Sequence, residues 1–409
     1  MKNIRLPIAI AIAVSSSAAY SATYAVDARG AAMGGVGVVA GTYLTSPFYN
    51  PALAAIYRRN DDAGMLLPGA GLMYNDEQKL IENVKDTASL LDGIDFGNPA
   101  SITADKVTKL DSLLTDMTGD RANVEAGLTA AFGIPNSFLS MTAFGKAYTE
   151  AFVAPDIYNG STATNADPTI QNALRVSENA QLSAVNVVSI AVLEAGLTMA
   201  KYQTVLGQHM SFGVTPKIQR INTYVYTASM QKYELKDILE NSTSDATFNI
   251  DVGALWFYGP FRIGFSGTNL ISRDFETKEI TTTLTSSLNN TRPAIVTNYT
   301  YELRPQYTIG AGFVSDYFSL SVDYDVNEDE KFDQFEDNTQ WLRAGLEIDV
   351  MRQLQLRGGY KKNLAYSDSE DTITAGVGIS PLGLFELDLA VSYTNADALG
   401  GYVNFLATY

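Results

Sequence analysis

The sequence predicts an all-β protein, a transmembrane antiparallel β-barrel of about 14 strands. Apolar and polar residues alternate through most of the chain, as expected of strands with one apolar face. Short turns alternate with long connections, which is typical of outer-membrane barrels. Beyond the first residues, no apolar run is long enough for a spanning helix, so a place in the membrane requires a closed barrel.

Composition excludes several classes of function. The 409 residues include no cysteine and a single histidine, His209, which excludes disulfides, thiolate metal sites and thiol redox chemistry. With 45 acidic against 28 basic residues, the formal net charge is −17, which disfavours nucleic acid as a partner. We therefore expect no enzyme activity, no catalytic residue, no metal and no cofactor.

Residues 1–21 have the pattern of a secretory signal peptide. Lys2 and Arg5 precede the apolar run Leu6–Val14, and small, weakly polar residues follow as far as Ser21. We predict cleavage after Ser21, with Ala25 as the less favoured alternative. A membrane anchor is the other interpretation, but the apolar run is too short to span about 30 Å of hydrocarbon. Cleavage would change the net charge from −17 to −19.

Residues 61–409 are predicted to form the barrel. In Phe385–Tyr393, every second residue is apolar and those between are mostly polar. Strands are predicted at 63–75, 121–133, 137–152, 181–202, 205–228, 245–258, 260–270, 304–314, 316–326, 338–350, 352–362, 370–380, 384–395 and 400–409. A soluble sandwich also alternates, but it has no reason to place its long connections at one end.

The connections predict the orientation of the barrel. The short turns at 133–136, 259–260, 315–316 and 381–383 should be periplasmic. The longer segments at 76–120, 153–180 and 271–303 should be extracellular. Residues 76–118 carry two apolar stripes at helical spacing, so we expect an extracellular insertion of two amphipathic helices. The stripes favour packing within the loop over a vestibule for apolar ligands or another cell's surface.

Side chains are predicted to separate by face and by depth. Charged residues should face the lumen, and aromatic residues near strand ends should form interfacial girdles. The predicted lumen residues are Arg262, Arg343, Glu347, Arg357, Glu386 and Asp388. The predicted girdle residues are Trp256, Phe257, Tyr258 and Phe261 around one turn, with Tyr148 and Phe152 near another strand end.

Residues 22–60, between the signal peptide and the barrel, are predicted to form a hatch. The segment is rich in glycine, which permits close packing inside a barrel, and Pro51 fixes the turn before the wall. A passive glycine-rich linker is the alternative, but the apolar residues of the segment argue against it. The candidate ligand-binding or hatch residues are Gly34, Gly35, Gly37, Phe48, Tyr49, Asn50, Pro51 and Ala52.

Two motifs in this segment resemble a known family. Asp27–Val38 (DARGAAMGGVGV) and Phe48–Leu53 (FYNPAL) resemble the hatch of the FadL-like outer-membrane transporters of long-chain fatty acids and aromatic hydrocarbons. Ala22–Tyr24 and Tyr43–Pro47 are closer still to its TraF-like plasmid-transfer branch. The resemblance implies capture of a hydrophobic ligand from outside, followed by a hatch rearrangement that releases it through the wall or downward.

The leading functional prediction is a FadL-like barrel that binds or passively conducts a small hydrophobic molecule across the outer membrane of a Gram-negative bacterium. The alternative is a non-transport accessory or structural component of a conjugation system. A barrel-embedded esterase would depend on His209, near which the sequence offers no compelling nucleophile. The expected partners are outer-membrane lipid, lipopolysaccharide, the ligand, and the barrel-assembly machinery, through the last strand ending at Tyr409.

Overall fold

The computed structural model describes residues 27–58, 61–76, 78–95, 103–233, 235–332, 335, 337–367, 369–381 and 385–408. The predicted signal peptide, its cleavage site after Ser21, and Tyr409 lie outside these residues.

Fourteen strands of the described chain form one closed antiparallel barrel, as predicted. Each pairs with its sequence neighbours in the barrel, and the last strand pairs with the first from Gly64↔Thr408 to Asn75↔Ala398. The barrel strands are β1 (Gly64–Asn75), β2 (Ala122–Ile134), β3 (Ser140–Asp156), β4 (Ala184–Val205), β5 (Gln208–Ser229), β6 (Ser242–Tyr258), β7 (Phe261–Thr268), β12 (Gln306–Val314), β13 (Phe318–Asp325), β14 (Trp341–Val350), β15 (Leu354–Asn363), β16 (Thr372–Ile379), β17 (Phe385–Asn395) and β18 (Ala398–Thr408).

Four short strands lie in the connection between β7 and β12 and form two small hairpins. They are β8 (Arg273–Glu276), β9 (Ile280–Thr282), β10 (Ile295–Thr297) and β11 (Thr300–Leu303). β9 pairs with β10, and β8 pairs with β11. These strands are only three or four residues long, too short for alternation of apolar and polar residues to predict them.

Helices occur before the barrel and in its long connections. The α-helices are α1 (Ala28–Ala32), α2 (Ser46–Tyr49), α3 (Leu80–Asp92), α4 (Ala104–Asp116) and α5 (Pro168–Leu182), and 3-10 helices span Pro51–Ala55 and Leu235–Glu240. α3 and α4 lie in the segment where two amphipathic helices are predicted. α5 was not predicted, although Asp167 caps its first turn by accepting hydrogen bonds from the N–H groups of Thr169 and Ile170. Among the described residues, no helix is both long and apolar enough to cross a membrane.

The two ends of the barrel differ in their connections. At the short-turn end, hairpins such as Leu206–Gly207 and Gly259–Pro260 join the strands. At the opposite, long-connection end lie the described residues of the connections 76–121, 157–183, 269–305 and 326–340, although only Ala396 and Asp397 join β17 to β18. Along the wall, outward side chains are apolar and inward ones polar: Leu387 and Leu389 are about two-fifths exposed, whereas Asp388 is fully buried.

Three long strands, β3, β4 and β5, extend toward the long-connection end. There, α3, α4 and α5 pack on the buried residues of these strands in one large apolar cluster. We call this cluster the apolar cap; it includes Leu80, Val84, Leu91, Val107, Leu110, Leu114, Met117, Val176, Tyr148, Phe152, Val188, Ile190, Tyr224 and Phe332. Tyr148 and Phe152 belong to it and are buried, so their predicted place in an interfacial girdle is wrong. The alternation of apolar and polar residues predicted the strand that carries them. It did not indicate that this strand extends into the apolar cap.

Candidate functional site in the barrel lumen

Residues 27–58, which we call the lumen segment, lie inside the barrel. Helix α1 packs on β16, β17 and β18, where Ala28 and Ala32 contact Ala390 of β17 and Tyr402 of β18. The following residues, as far as the 3-10 helix Pro51–Ala55, reach β4, β5 and β6 on another part of the wall. The segment therefore crosses the lumen and is attached to both sides of it.

A network of buried charges attaches the start of the segment. Arg29 donates from Nε and Nη2 to the two carboxylate oxygens of Glu347, at 2.8 and 2.7 Å. Glu347 also pairs with Arg357, which is 1% exposed and contacts the carboxylates of Glu386 and Asp388. Such bidentate, charge-assisted contacts fix position and orientation together. The predicted lumen positions of Glu347, Arg357, Glu386 and Asp388 are therefore present, and their partner Arg29 comes from the lumen segment.

A second attachment uses backbone groups of the segment. Asp323 of β13 accepts hydrogen bonds through one carboxylate oxygen from the N–H groups of Gly37 (2.7 Å) and Val38 (2.9 Å). On the next level of the wall, Arg343 donates to both carboxylate oxygens of Asp325, at 2.8 and 2.9 Å. The polar face of β13 therefore binds the segment directly, which the sequence alternation alone did not indicate.

Gly34 and Gly35 form a tight turn against the wall. Both have left-handed backbone angles, with φ of 73° and 88°, which favour glycine. A Cβ on Gly34 would lie 2.6 Å from the carbonyl oxygen of Tyr360, and the Gly34 N–H donates to Thr374 Oγ1 at 2.8 Å. Glycine is thus required here for both conformation and close approach.

The aromatic pair Phe48 and Tyr49 fills the space behind this turn. Phe48 packs edge-on against Phe144 of β3, with ring centroids 5.8 Å apart. The Tyr49 ring lies directly over Gly37, where a Cβ would be 2.1 Å from a ring carbon. The two rings therefore pack the lumen segment against itself and against the wall.

The remaining candidate residues fix the segment to β5 and β6. Asn50 donates from Nδ2 to the carbonyl oxygens of Val38 (3.0 Å) and Ala254 (3.3 Å), and its Oδ1 accepts from the Ala52 N–H. Ser211 donates to the Ala52 carbonyl at 2.7 Å. Pro51 lies against Gly213, where a Cβ would meet its carbonyl carbon at 2.3 Å. The Asn-Pro-Ala motif thus attaches the lumen segment to β5 and β6.

Beside the segment is a space of about 150 Å³, which we call the inner cavity. Its lining includes Gly34, Gly35, Phe48, Tyr49, Met73, Glu125, Glu150, Ser266, Asp323, Lys331, Trp341, Arg343, Lys361 and Tyr402. Four of the eight predicted residues, Gly34, Gly35, Phe48 and Tyr49, thus line a cavity. Gly37, Asn50, Pro51 and Ala52 do not line it and instead attach the segment to the wall.

A second space of about 390 Å³, the outer cavity, lies toward the long-connection end. The two cavities share Met73, Glu125, Glu150, Thr339, Trp341, Lys361 and Ser392 in their linings. Asp337 lines the outer cavity and accepts hydrogen bonds from the N–H groups of Lys331 and Phe332. Burial raises the pKa of Asp337 to about 6. The cavities therefore form a polar and aromatic path toward the lumen segment.

Lys361 and Trp341 are prominent lining residues that the sequence analysis did not select. The Lys361 ammonium lies 4.7 Å from the centre of the Trp341 ring, a cation–π contact at the junction of the two cavities. Both residues lie on predicted strands, but only the registered pairing of β14 with β15 brings them together. Among the described residues, no group of three or more His, Asp or Glu side chains could hold a metal ion.

On the opposite face of the wall, an apolar groove of about 880 Å³ runs over β16, β17, β18, β1 and β2. Its lining includes the outward side chains Leu72, Leu128, Leu389, Val391 and Val403. Tyr402 lines both this groove and the inner cavity. Tyr402 of β18, which pairs with Ala390 of β17 and Gly71 of β1, therefore borders the inner cavity and the groove at the same place in the wall.

Strand β1 is irregular beside this position. Its pairing with β18 shifts between Leu67 and Ala70, so Pro68 and Gly69 together oppose the single residue Asn404. Its pairing with β2 shifts at the same level. A bulge weakens the ladder locally, and proline supplies no N–H to it. Asn404 Oδ1 also accepts a hydrogen bond from the N–H of Ala28, which connects the lumen segment to this irregular seam.

Similar folds occur among solved outer-membrane channels. A mutant of the monoaromatic hydrocarbon channel TodX has a TM-score of 0.59 at 11% identity, covering 96% of this chain and 99% of that one. The toluene transporter TbuX of Ralstonia pickettii has a TM-score of 0.55 at 11% identity, covering 93% and 98%. The monoaromatic hydrocarbon channel CymD has a TM-score of 0.51 at 10% identity, covering 93% and 97%. At such identities, the likeness concerns the fold.

Among curated proteins, none matches the chain. The profile of one protein family, described as "F plasmid transfer operon, TraF, protein", matches residues 47–325, which is more than half of the chain. The match extends from the Phe-Tyr-Asn-Pro-Ala motif through β13. The chain therefore belongs to this TraF family, with the closed barrel of the FadL-like channels as its fold.

Proposed function

We propose that this protein binds a small hydrophobic molecule and conducts it passively across the outer membrane of a Gram-negative bacterium. The ligand enters at the long-connection end, which faces outward, and reaches the inner cavity beside the lumen segment. It leaves through the wall beside Tyr402 into the lipid. The observation that carries this proposal is that Tyr402 lines both the inner cavity and the apolar groove on the lipid-facing surface.

The residues that line the inner cavity and the groove favour passage of a small apolar molecule over its tight binding. The inner cavity combines the rings of Tyr49, Trp341 and Tyr402 with charged side chains. Its volume of about 150 Å³ is of the size that holds one benzene-sized molecule in engineered protein cavities. The groove outside is lined almost entirely by aliphatic side chains and glycine. The free energy of a small apolar molecule is therefore lower in the groove than in the cavity, which favours its exit.

The lumen segment acts as the hatch in this proposal. Its Ala28 N–H is bound to Asn404, opposite the bulge at Pro68 and Gly69. Displacement of α1 would release this contact and expose the seam between β18 and β1. Because α1 also packs on Tyr402, the same displacement would remove the helix from the Tyr402 side chain. Tyr402 lines both the cavity and the groove and could then change its position.

Uptake of the fluorescent apolar probe N-phenyl-1-naphthylamine tests the proposal. Cells producing the protein should take up the probe faster than cells without it. Tyr402→Ala should accelerate uptake further, because it removes the aromatic side chain that lines the inner cavity at the proposed exit. The control Tyr393→Ala changes an exposed tyrosine on the outer face of β17 and should leave the rate unchanged. Equal uptake with and without the protein would contradict transport, and equal effects of the two variants would contradict the exit at Tyr402.

Mass spectrometry of small molecules that co-purify with the protein would identify the ligand. A variant lacking residues 22–50 loses most of the lumen segment, including the residues of it that line the inner cavity. We expect an apolar compound enriched with the full protein and lost from this variant.

A role in plasmid transfer is the second candidate, and the description of the matched family favours it. In that case the barrel would be an accessory or structural component of a conjugation system. Deletion of the protein should then lower the frequency of plasmid transfer, and the Tyr402→Ala variant should restore it fully. Transport alone predicts no loss of transfer on deletion.

A further inference from the structure

Lys361 differs from other cationic side chains in the lumen. Its ammonium lies 3.8 Å from Met73 Sδ and 4.7 Å from the centre of the Trp341 ring. Among the residues that the structure describes, no oxygen accepts a hydrogen bond from it. By contrast, at least one carboxylate pairs with each of the lumen cations Arg29, Lys217, Lys331, Arg343 and Arg357. Lys361 therefore keeps hydrogen-bonding capacity that these protein groups do not use.

Strand register places this ammonium beside the indole ring. Lys361 of β15 pairs with Arg343 of β14, and Trp341 is the next inward residue of β14, so the two side chains are diagonal neighbours. The ring attracts the cation, but neither an aromatic ring nor the Met73 thioether is a strong hydrogen-bond acceptor. The ammonium in this position therefore needs an acceptor from water or from a bound molecule.

The site is accessible from both cavities. Lys361, Trp341 and Met73 line the inner and the outer cavity alike, so the ammonium lies where the two cavities meet. The Tyr49 ring lines the inner cavity only. A molecule at this junction therefore meets one strong hydrogen-bond donor together with aromatic and thioether surface. That combination fits a ligand with a mainly apolar body and one polar atom.

The charges around the junction favour a neutral acceptor over an anion. Five carboxyl groups and three cationic side chains line the inner cavity. Two of these cations already have partners, since Arg343 pairs with Asp325 and Lys331 pairs with Glu150. Lys361 thus shares the lining with three further carboxyl groups, which would repel a bound carboxylate. A carbonyl oxygen accepts a hydrogen bond without adding a negative charge.

We propose that Lys361 and Trp341 form a binding site for small apolar molecules that carry one neutral hydrogen-bond acceptor, such as aromatic ketones. The Lys361 ammonium donates to the ligand oxygen, and the ligand ring packs against Trp341 and Met73. The proposal rests on the proposed function only for the transport of this ligand, not for its binding. A plain hydrocarbon of the same shape binds less tightly, because it leaves the ammonium without an acceptor.

Two compounds of the same shape test the site. Acetophenone has a carbonyl oxygen where α-methylstyrene has a methylene group, and the two are otherwise alike. Isothermal titration calorimetry on the purified protein in detergent measures the affinity for each compound. The ratio of the two affinities is the preference for the carbonyl. Partition into detergent affects this ratio equally in every variant, so a change in the ratio between variants reports the protein site.

Lys361→Met removes the donor and keeps an apolar stem, so the preference for acetophenone should fall by about tenfold or more. Lys362→Met is the matched control: Lys362 pairs with Asp371 outside the cavities, and the preference should not change. The infrared carbonyl stretch of bound acetophenone should shift to lower frequency with the parent and with Lys362→Met only. Heat-dependent mobility on gels checks that each variant is folded. Lys361→Gln, which retains an N–H donor, should keep part of the frequency shift.

An unchanged preference in folded Lys361→Met, or the absence of measurable acetophenone binding by the parent, would overturn the site. Tighter binding of benzoate than of acetophenone by the parent would overturn the assignment of a neutral ligand. A preference that depends on Lys361, together with equal uptake of the naphthylamine probe by cells with and without the protein, would support the site and contradict the proposed transport. Faster uptake without such a preference would support transport and overturn the site.

Discussion

The lumen segment and the apolar cap are both packed on the barrel, but by different forces. The segment is attached largely by directional polar contacts, such as Arg29 to Glu347 and the Gly37 N–H to Asp323. Its buried apolar residues fall into several small clusters. The cap is one continuous apolar cluster that joins three helices to the extended strands.

This difference has a consequence for motion. Water can replace a hydrogen bond, so a neutral polar contact adds only about 0.5–1.5 kcal/mol of net stability and a contact to a charged group about 1.5–3 kcal/mol. Apolar burial has no such substitute and adds about 25 cal/mol for each Å² removed from water. The comparison suggests that the lumen segment can detach while the cap stays folded, as the proposed hatch requires.

The largest expected effect is that of Arg357→Ala. Loss of this 1% exposed guanidinium removes the arginine partner of the buried Asp388 and the half-buried Glu386, and leaves Glu347 paired with Arg29. Removing one partner of a buried pair costs about 3–5 kcal/mol, so the temperature of heat-induced unfolding should fall markedly. The control Arg352→Ala breaks an exposed pair with Asp316 and should change nothing measurable. Equal thermal stability of the two variants would show that the network is not structural.

Leu110→Ala tests the cap. The Leu110 side chain is fully buried on α4, and its truncation should cost about 2–5 kcal/mol through lost burial and a cavity. Hydrogen exchange should accelerate in α3 and α4 and remain unchanged in the lumen segment. Lys109→Ala, which alters an exposed neighbour paired with Asp86, is the control. Faster exchange around Gly34 in the leucine variant would mean that cap and segment are coupled.

Gly34→Ala should loosen the lumen segment with a smaller effect on the barrel. The left-handed conformation costs a residue with a Cβ about 1–2 kcal/mol, and here that Cβ would also clash with the wall. Gly119→Ala introduces the same kind of strain at φ of 89° into open space, so it reports the strain alone. We expect greater protease sensitivity of residues 27–58 only for the Gly34 variant. The same sensitivity in both would argue that packing at Gly34 is unimportant.

The smallest effect should be the pH dependence of the cap. Burial, together with the nearby charges of Asp76 and Asp116, raises the pKa of Asp120 to about 6. The folded cap thus holds a proton that the unfolded connection would release near pH 4. This stabilisation is complete below the unfolded pKa and is lost as the pH rises through about 6. The hydrogen-exchange protection factors at the end of α4 should therefore fall between pH 4 and 6, and Asp120→Asn should flatten this dependence.

Much of the barrel follows from the sequence because alternation is a local property. Leu387 and Asp388 point to opposite faces in any strand, and the alternation of short turns with long connections then distinguishes a membrane barrel from a soluble sandwich. All fourteen predicted strands occur with ends within four residues of those observed. The prediction for Tyr148 and Phe152 was wrong because the same alternation continues beyond the regular wall. There the strand contacts helices and loops instead of lipid.

The candidate site was only partly predictable. The glycines and the Asn-Pro-Ala motif identified the lumen segment, since positive φ and a fixed turn leave a local trace. Helix α5 had such a trace in Asp167 and Pro168, which the sequence analysis did not use. Nothing local connects Arg29 to Glu347 or Asp323 to Gly37, because these contacts join residues about 300 positions apart.

The sequence by itself determined the strands, the inward or outward direction of most side chains and the presence of a distinctive segment before the barrel. Those properties depend on neighbours along the chain. The tertiary structure decided which charges meet and that Tyr402 is shared between cavity and groove. Barrel closure and strand register create those relations, because they bring together residues that no sequence spacing connects.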